Sequence, residues 1–318
     1  MKIGILTSGG DAPGMNAAIR AVVKSAVKNG IECYGIFRGY EGLIDADIKQ
    51  IDKSFVADTI QRGGTILQTA RCPRFLTAEG RSRAKSVAET FGLDAIVTIG
   101  GDGTMHGAME LAKLGLNVMF IPATIDNDVA YTEYTIGFDT AVNTALDAIS
   151  KIKDTTDAHD RAIVIEVMGR NCGDIAIAAG MAGGAEKILT PGNPVDVNEI
   201  AKEILLGQGQ GRRHYIIVKA EGVDYDSFRL AKDIEAKTGH ECKAAVLSYI
   251  QRGGVPTAND RIRASMMGVK AVELILSGAR CRAVGIVAND IVNYPIDIAI
   301  EDHDKRPIVD LKTCEIIA

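Results

Sequence analysis

The stretch GGDGTMHGAMELAKLGLNVMFIPATIDND, from Gly100 to Asp128, determines how the rest of the chain is interpreted. It contains a glycine-rich turn at Gly100–Thr104, an apolar-periodic helical segment and a polar turn at Pro122–Asp128. Each turn follows a short run rich in β-branched residues, and such runs predict buried strands of a parallel sheet. Because parallel strands end at one edge, we expect the three aspartates of these turns to lie close together. Carboxylates beside mobile glycine backbone suit a phosphate and a metal ion.

The composition places the chain among α/β proteins. It has 318 residues, of which 47% are hydrophobic and 24% charged, with 34 glycines and no tryptophan. This length suits two domains of ordinary size. The net charge of −5 argues against a nucleic-acid partner. The six cysteines form no CxxC pair, and we find neither a signal peptide nor a membrane-spanning run. We therefore expect a reduced, cytoplasmic protein with no membrane partner.

Strands and helices alternate along the chain. The predicted strands are Lys2–Leu6, Glu32–Phe37, Ala95–Ile99, Val118–Ile121, Ala162–Val167 and Tyr215–Ala220. The predicted helices are 15–26, Phe55–Gln61, Ser82–Phe91, 105–112, Val142–Ile152, Asp174–Met181, Asn198–Leu206 and Asp260–Leu276, with a further strand-helix unit in Tyr225–Leu247. Turns are predicted at Arg38–Gly42 and Gly207–Gly211. The alternation predicts two doubly wound, Rossmann-like parallel-sheet domains with ligands at the strand carboxyl ends.

Two glycine loops, at Gly9-Gly10 and Gly100–Gly103, offer backbone N–H groups at helix N-termini, where phosphate is favoured. Each loop alone is more often only a tight turn. No Walker sequence occurs, and His106 stands where a dinucleotide fingerprint has its third glycine. The two loops together therefore predict a different phosphate site.

Three aspartates are candidates for chemistry. Asp102 lies between glycines and could hold Mg²⁺, or it could cap the helix that begins near Thr104. Asp126 and Asp128 could be turn residues, but two carboxylates two positions apart in an extended turn point the same way. A phosphoryl acceptor hydroxyl needs a nearby base. We favour Asp126 for that role.

Arginines in the second half could neutralise a transferring phosphoryl group. Arg170 follows a predicted strand in the sequence Met168-Gly169-Arg170, although an exposed loop arginine would look the same. Further candidates for anion contacts are Arg71, Arg161, Lys243 and Arg252.

Five motifs together resemble those of bacterial ATP-dependent 6-phosphofructokinase, in order and over nearly the whole chain. They are Thr7–Ala17, Gly100–Thr104, Thr124–Asp128, Met168–Arg170 and Ile250–Gly254. The resemblance implies two domains with the active site in the cleft between them: 1–138 plus 256–304, larger and ATP-binding, and 139–255 plus 305–318, smaller and sugar-phosphate-binding. It also implies a homotetramer whose sites are shared between subunits, with Arg161 and Lys243 supplied by a neighbour.

The resemblance also assigns roles to single residues. The implied catalytic residues are Asp126, Arg170, Thr124 and Asp128, with Asp102 as the Mg²⁺ ligand. The implied ATP contacts are Gly10, Tyr40, Arg71, Cys72, Gly101, Asp102, Gly103, Thr104 and Gly107. The implied substrate contacts are Thr124, Ile125, Asp126, Arg161, Met168, Gly169, Arg170, Glu221, Lys243, Tyr249, Ile250, Gln251 and Arg252. The implied effector residues, for ADP or phosphoenolpyruvate, are Arg20, Lys24, Lys53, Lys153, Gly184, Ala185, Glu186, Gln210, Arg212, Arg213 and His214.

The chain departs from the family pattern at several of these positions. Ala123 stands where the family usually has glycine, and the pyrophosphate-using branch has lysine there together with Asp in place of Gly103. Lys243 and Tyr249 replace an arginine and a histidine at the sugar 6-phosphate, and Cys72 replaces a phenylalanine near the adenine. The effector positions carry several lysines for arginines. We therefore expect ATP as donor and a weakened or retuned effector response.

The expected activity is ATP- and Mg²⁺-dependent phosphorylation of fructose 6-phosphate at its 1-hydroxyl, as in glycolysis. Two alternatives remain open at this stage. The same chemistry could act on tagatose 6-phosphate or sedoheptulose 7-phosphate, or could use pyrophosphate. A non-catalytic nucleotide- or sugar-phosphate-binding regulator on the same scaffold is the alternative from another class.

Overall fold

The computed structural model describes residues 1–302 and 311–317. The chain forms two compact units: Met1–Thr140 with the segment that starts at Arg252, and Ala141–Gln251 with the helix at Leu311–Ile317. The boundaries expected after residues 138 and 255 stay a prediction, since a compact unit need not fold on its own. The predicted assignments of residues 303–310 and 318 lie outside the described residues.

The first unit is built on a seven-stranded sheet in the order β11-β10-β5-β4-β1-β2-β3. Its strands are β1 (Lys2–Ser8), β2 (Glu32–Ile36), β3 (Ile48–Ile51), β4 (Ala95–Gly100), β5 (Val118–Pro122), β10 (Arg282–Val287) and β11 (Asp290–Pro295). Its helices are α1 (Met15–Lys28), α2 (Gly39–Asp45), α3 (Ala78–Thr90), α4 (Asp102–Lys113), α9 (Ala258–Leu276) and α10 (Ile296–Glu301). Every residue of β4 and β5 is buried, as expected for strands covered by helices on both faces.

The second unit is built on a four-stranded parallel sheet in the order β7-β8-β6-β9. Its strands are β6 (Ala162–Val167), β7 (Lys187–Leu189), β8 (Tyr215–Ala220) and β9 (Cys242–Val246). Its helices are α5 (Phe138–Ala158), which begins at the end of the first unit, α6 (Asp174–Gly183), α7 (Val197–Gly209), α8 (Ser227–Thr238) and α11 (Leu311–Ile317). The predicted α/β class with parallel sheets is confirmed.

The larger sheet is mixed rather than wholly parallel. Strand β3 pairs antiparallel with β2, and β11 pairs antiparallel with β10. These two strands were not predicted from the sequence, because short edge strands carry little apolar pattern: residues of β11 are only partly buried or exposed. The strands that carry the predicted motifs are parallel.

The predicted helix at Phe55–Gln61 is wrong. The Asp52 carboxylate accepts hydrogen bonds from the backbone N–H and hydroxyl of Ser54 and from the N–H of Phe55. Asp58 then adopts a left-handed φ of 52°. Side-chain acceptance of this kind competes with helix formation, so the segment folds as turns.

Several other predicted boundaries differ from the structure. The predicted turn at Arg38–Gly42 is instead the start of α2, and the predicted turn at Gly207–Gly211 begins inside α7. Helix α3 starts four residues earlier than predicted, at Ala78, because the Thr77 hydroxyl accepts from the N–H of Gly80 and caps it. Local hydrogen bonds, which apolar periodicity cannot detect, set these ends.

Asp260, in the first turn of α9, joins that helix to the segment after β5. Its Oδ1 accepts from the N–H of Gly137 at 2.8 Å, and its Oδ2 accepts from the N–H and hydroxyl of Thr140 at 2.8 and 2.5 Å. The side chain is buried. Burial raises the pKa of Asp260 to about 6, and these hydrogen bonds offset only part of that effect. The buried Asp260 carboxyl therefore links α9 to the segment after β5 within the first unit.

We expect Asp260→Asn to lower the free energy of unfolding in urea by about 1–3 kcal/mol, because an amide NH₂ must then face a backbone donor. The folded-state pKa lies above the ordinary value of 3.8, so the stabilisation by this carboxyl is complete below that value and is lost as pH rises through about 6. The difference between wild type and variant should shrink from pH 5 to pH 7.5. A difference that grows with pH would contradict this assignment. Asp147→Asn, whose side chain is 66% exposed, is the control.

Candidate active site

Three polar segments meet at the carboxyl edge of the larger sheet. Strands β1, β4 and β5 are neighbours, with Ser8 beside Gly100 and Gly100 beside Pro122. The N–H of Ala123 donates to the carbonyl of Gly100 at 2.8 Å and continues the pairing by one residue. The sheet therefore brings together the two glycine loops and the Ala123–Asp128 loop, as the sequence predicted.

The glycines in these loops are required by close contacts. A Cβ atom on Gly100 would lie 2.3 Å from the Thr104 Oγ1 and 2.4 Å from the Ser8 carbonyl oxygen, and one on Gly101 would lie 3.3 Å from the Thr124 Cβ. In contrast, a Cβ on Gly103 would meet no atom within 4 Å among the described residues. Gly103 thus leaves open space at the first turn of α4.

Helix α4 begins at Asp102, and Gly101 occupies its N-cap without a side-chain hydrogen bond. The alternative that Asp102 caps this helix is therefore wrong. The Asp102 carboxylate is 51% exposed and lies 3.4 Å from the Nδ1 of His106. An exposed carboxylate beside the positive end of a helix suits a cation held jointly with an anion.

The Ala123–Asp128 loop is ordered by buried hydrogen bonds. The Thr124 hydroxyl accepts from the N–H of Asp126 at 3.2 Å, and the Thr135 hydroxyl donates to the Thr124 carbonyl at 2.6 Å. The Oδ1 of Asn127 accepts from the N–H of Thr135 at 3.0 Å. The expected extended turn is wrong at Asn127, whose φ is 53°. Asn127 was not predicted, although asparagine is the residue most tolerant of this conformation after glycine.

The two aspartates of this loop are shielded from solvent to different extents. Asp126 is 1% exposed. Asp128 is partly buried, and its Oδ1 has neither solvent contact nor a hydrogen bond within the described part of the chain. Ile125 between them is fully buried. Carboxylates in such an environment are typical of functional sites.

A cleft of about 860 Å³ opens beside the glycine loops, a volume in the range of ligand pockets. Five predicted ATP contacts line it: Tyr40, Arg71, Cys72, Gly103 and Gly107. Residues that the sequence analysis did not assign also line it, among them Phe75, Leu76, Arg81, Met109, Glu110 and Lys113. The sequence around these residues contains no motif that predicts ligand binding.

Tyr40 forms an inner wall of this cleft. Its ring stacks on Phe75 with centroids 4.2 Å apart, and its hydroxyl donates to the carbonyl of Thr104 at 2.6 Å. Burial raises the pKa of Tyr40 above its ordinary range. A Cβ on Gly107 would lie 2.5 Å from the Tyr40 ring, so Gly107 permits this packing. Burial, reinforced by Glu41, raises the pKa of Cys72 to about 11, and its thiol is neutral at pH 7.

Arg252 lies against the first glycine loop. Its Nη1 donates to the carbonyl of Asp11 at 3.4 Å, and a Cβ on Gly10 would lie 2.5 Å from the same nitrogen. Gly10 therefore leaves room for this guanidinium. The exposed Tyr249 and Ile250 precede it in a single 3₁₀ turn, Ser248–Arg252.

In the second unit, Glu221 and Gln251 organise the turn after β6. The Oε1 of Glu221 accepts from the N–H groups of Gly169 and Arg170 at 3.2 and 2.8 Å. The Oε1 of Gln251 accepts from the N–H of Met168 at 3.3 Å. The backbone φ angle is positive at both Gly169 (134°) and Arg170 (50°). The side chains of Glu221 and Gln251 therefore fix the backbone that presents Arg170.

Arg161 and Lys243 lie near the amino ends of β6 and β9, at the opposite end of these strands from the Arg170 turn. Arg161 directly precedes β6, and Lys243 is the second residue of β9. Both pair with Glu241, at 3.7 and 2.8 Å. The length of β6 separates Arg161 from Met168 by roughly 20 Å at about 3.3 Å per residue. One chain therefore does not bring these two cations to the turn that carries Arg170.

The predicted effector residues of the second unit form a cluster around Glu186. Its carboxylate lies 3.9 Å from Arg212 and 3.6 Å from His214, and it accepts from the N–H of Ile216 at 2.7 Å. His214 also contacts Asp157 at 3.2 Å, an acidic partner that the sequence analysis did not predict. Lys153 lies beside Gly184, whose φ is 63°.

The other predicted effector residues have varied settings. Ala185 is buried, Gln210 ends α7 and Arg213 is exposed. Arg20 and Lys24 lie half-buried on α1, and Lys53 is exposed after β3. The described residues contain no group of three or more metal-ligating side chains, and no described helix is both long and apolar enough to cross a bilayer.

Comparison with known proteins agrees with this geometry. The family model for phosphofructokinase matches residues 2–275. The chain is 52% identical over 313 residues to the "ATP-dependent 6-phosphofructokinase" of Clostridium botulinum (strain Loch Maree / Type A3), covering 98% of each chain. It is 54% identical over 303 residues to the protein of the same name from Alkaliphilus metalliredigens (strain QYMF), covering 95% of each.

A solved structure supports the same assignment. The phosphofructokinase of Saccharomyces cerevisiae superposes with a TM-score of 0.86 at 33% identity, covering 94% of this chain and 45% of the yeast chain. The yeast polypeptide is thus more than twice the length that it shares with this chain. Family match, sequence identity and fold agree, and the chain belongs to the phosphofructokinase family.

Proposed function

We propose that this chain is an ATP- and Mg²⁺-dependent 6-phosphofructokinase that phosphorylates the 1-hydroxyl of fructose 6-phosphate in the cytoplasm. The observation that carries this proposal is the convergence of three segments at the ends of β1, β4 and β5 beside the large cleft. Near full-length relatives with that name support the reaction.

The donor nucleotide would occupy the cleft beside α4. The open space at Gly103 supports a nucleotide rather than pyrophosphate, because a nucleotide needs room for its α-phosphate and base. Phe75 and Leu76 supply apolar wall, although Phe75 already stacks on Tyr40. The N–H groups at the start of α4 favour phosphate oxygens. These features support the predicted contacts from Arg71, Cys72 and the Gly101–Thr104 loop, whereas the contact from Gly10 stays a prediction.

Asp102 fits the role of Mg²⁺ ligand. It is a half-exposed carboxylate at a phosphate-binding helix start, and Mg²⁺ takes one or two carboxylates and completes its shell with phosphate oxygens and water. When bound, the ion neutralises charge on the β- and γ-phosphates.

Asp126 is the proposed base. It would accept the proton of the sugar 1-hydroxyl as that oxygen bonds to the γ-phosphorus and the bond to the bridging oxygen of ADP breaks. Thr124 and Arg170 would stabilise the transferring phosphoryl, and the neighbouring Asp128 would support the loop. Met168, Gly169, Glu221 and Arg252 would hold the sugar phosphate together with Tyr249, Ile250 and Gln251.

We expect Asp126→Asn to lower kcat by about 10²–10⁴-fold, because the amide cannot accept the proton. Since the two side chains are nearly isosteric, the thermal unfolding midpoint and ATP affinity should change little. The measurement is a coupled assay with fructose 6-phosphate and ATP, repeated with pyrophosphate, tagatose 6-phosphate and sedoheptulose 7-phosphate. Full activity in the variant would exclude this base. No turnover by the wild type with any pair would instead favour a non-catalytic regulator.

The position of Arg161 and Lys243 supports a site shared between subunits of a homotetramer. They lie about a strand length from the Arg170 turn of their own chain, so a neighbouring chain would have to supply them. We propose that these cations bind the 6-phosphate of a sugar held mainly by the adjacent subunit.

Subunit mixing tests the shared site. Homotetramers of Asp126→Asn and of Arg161→Met/Lys243→Met should each be nearly inactive at low fructose 6-phosphate. After dissociation and reassembly together, hybrids contain some sites with both an intact base and intact cations. We expect activity well above the mean of the parents, with assembly checked by light scattering. Activity equal to that mean would place each site within one chain.

The effector cluster supports retuned regulation by ADP or phosphoenolpyruvate. Glu186 and Asp157 already engage His214, and a phosphate ligand must compete with these carboxylates. We expect a fructose 6-phosphate saturation curve with little sigmoidal character and a small response to ADP, measured by steady-state kinetics. A strongly sigmoidal curve relieved by ADP would contradict this. Asp157→Asn removes one competing charge and should increase the response.

A further inference from the structure

Lys219 is the one lysine or arginine that is buried in the described part of the chain, with 1% of its surface exposed. Its Nζ lies 2.9 Å from the Oε2 of Glu166. The two residues are register neighbours on the adjacent parallel strands β8 and β6. The ion pair therefore joins the two central strands of the second unit from within its core.

The pair has further buried partners. The hydroxyl of Ser227, the first residue of α8, donates to the same Oε2 of Glu166, and Lys219 also donates to the carbonyl of Ala220 at 3.3 Å. The Glu166 carboxylate thus lies at the start of a helix, where negative charge is favoured. The contacts connect β6, β8 and α8.

The location of the pair links it to the proposed sugar-phosphate site. In a strand, residues two positions apart lie on the same face. Glu166 lies two positions before Met168, which directly follows β6, and Lys219 lies two positions before Glu221, which directly follows β8. Just beyond, Glu221 accepts the N–H groups of Gly169 and Arg170. One further register pair, Val167 with Ala220, lies between the ion pair and this turn.

Stability alone does not account for a charged pair at this place. A buried ion pair carries a desolvation cost that apolar residues of similar size avoid, so such a pair contributes little or no net stability relative to an apolar replacement. What the ion pair and the hydrogen bond from Ser227 provide is a directional side-chain link among β6, β8 and α8, one register pair before the turn. The left-handed backbone of Gly169 and Arg170 needs such a constraint, because it is strained for Arg170.

We propose that Lys219, through its ion pair with Glu166, is a positioning residue that holds the Met168–Arg170 turn in the shape required to bind the sugar phosphate. The identity of the ligand in this proposal rests on the proposed function. The other part, that the ion pair orders the Met168–Arg170 turn, does not depend on that function.

The decisive variant is Lys219→Met/Glu166→Gln, which removes both charges and keeps side-chain volume. We expect KM for fructose 6-phosphate to rise by about 10- to 100-fold, with KM for ATP within about twofold and the unfolding midpoint close to that of wild type. Amide hydrogen exchange in the 167–172 segment should accelerate by about tenfold or more. Lys219→Arg keeps the charge and should show smaller changes in both readouts.

The matched control is Lys187→Met/Glu203→Gln, which removes another lysine–glutamate pair, 2.8 Å apart, at the start of β7 on the same sheet. It should leave both readouts unchanged. Unchanged KM and exchange in the folded Lys219→Met/Glu166→Gln variant would overturn the proposal. If that variant does not fold, wild-type values of KM and of hydrogen exchange in both Lys219→Met and Lys219→Arg would overturn the proposal. If the wild type does not phosphorylate fructose 6-phosphate, the proposed function fails while the exchange result still decides the positioning role.

Discussion

The candidate site depends on one constraint, which is that strands β1, β4 and β5 end side by side at the same edge of the sheet. Hydrogen bonding along parallel strands fixes their stagger, and the bond from Ala123 to Gly100 carries that register into the loops. Each loop then departs from the same edge. Glycine at position 100 lets these loops approach more closely than a Cβ atom would allow, and a Cβ atom at position 101 would lie tightly against Thr124. Backbone pairing thus sets where the loops of the candidate site lie.

The second unit meets a similar need by different means. Its turn after β6 is held by the side chains of Glu221 and Gln251, which accept three successive backbone N–H groups. The start of α4 in the first unit has no side-chain cap, whereas the turn after β6 in the second unit is held by two side chains.

Sequence patterns predicted most helices, every parallel strand except β7 and β10, and the loops that follow β1, β4, β5 and β6, because apolar periodicity is a local property of the sequence. The pattern failed where local hydrogen bonds compete with period, as at Asp52, and where strands are short and half-exposed, as in β3 and β11. Contacts between residues far apart in the sequence leave no local pattern from which they could be predicted. Phe75 against Tyr40, Asp157 against His214 and Asp260 against Thr140 were all missed for this reason. The individual roles in catalysis remain predictions from resemblance and geometry.

The contact of Arg252 with the first glycine loop has a thermodynamic consequence. The guanidinium is proposed to bind the sugar phosphate, yet it also donates to the carbonyl of Asp11 next to Gly10, in the proposed nucleotide loop. A ligand that draws Arg252 away from Asp11 changes the energy of that loop. Linkage then requires the nucleotide to change the affinity for this ligand by the same factor. Cooperation or antagonism between the two substrates would in that case originate in a single hydrogen bond, without any change in quaternary state.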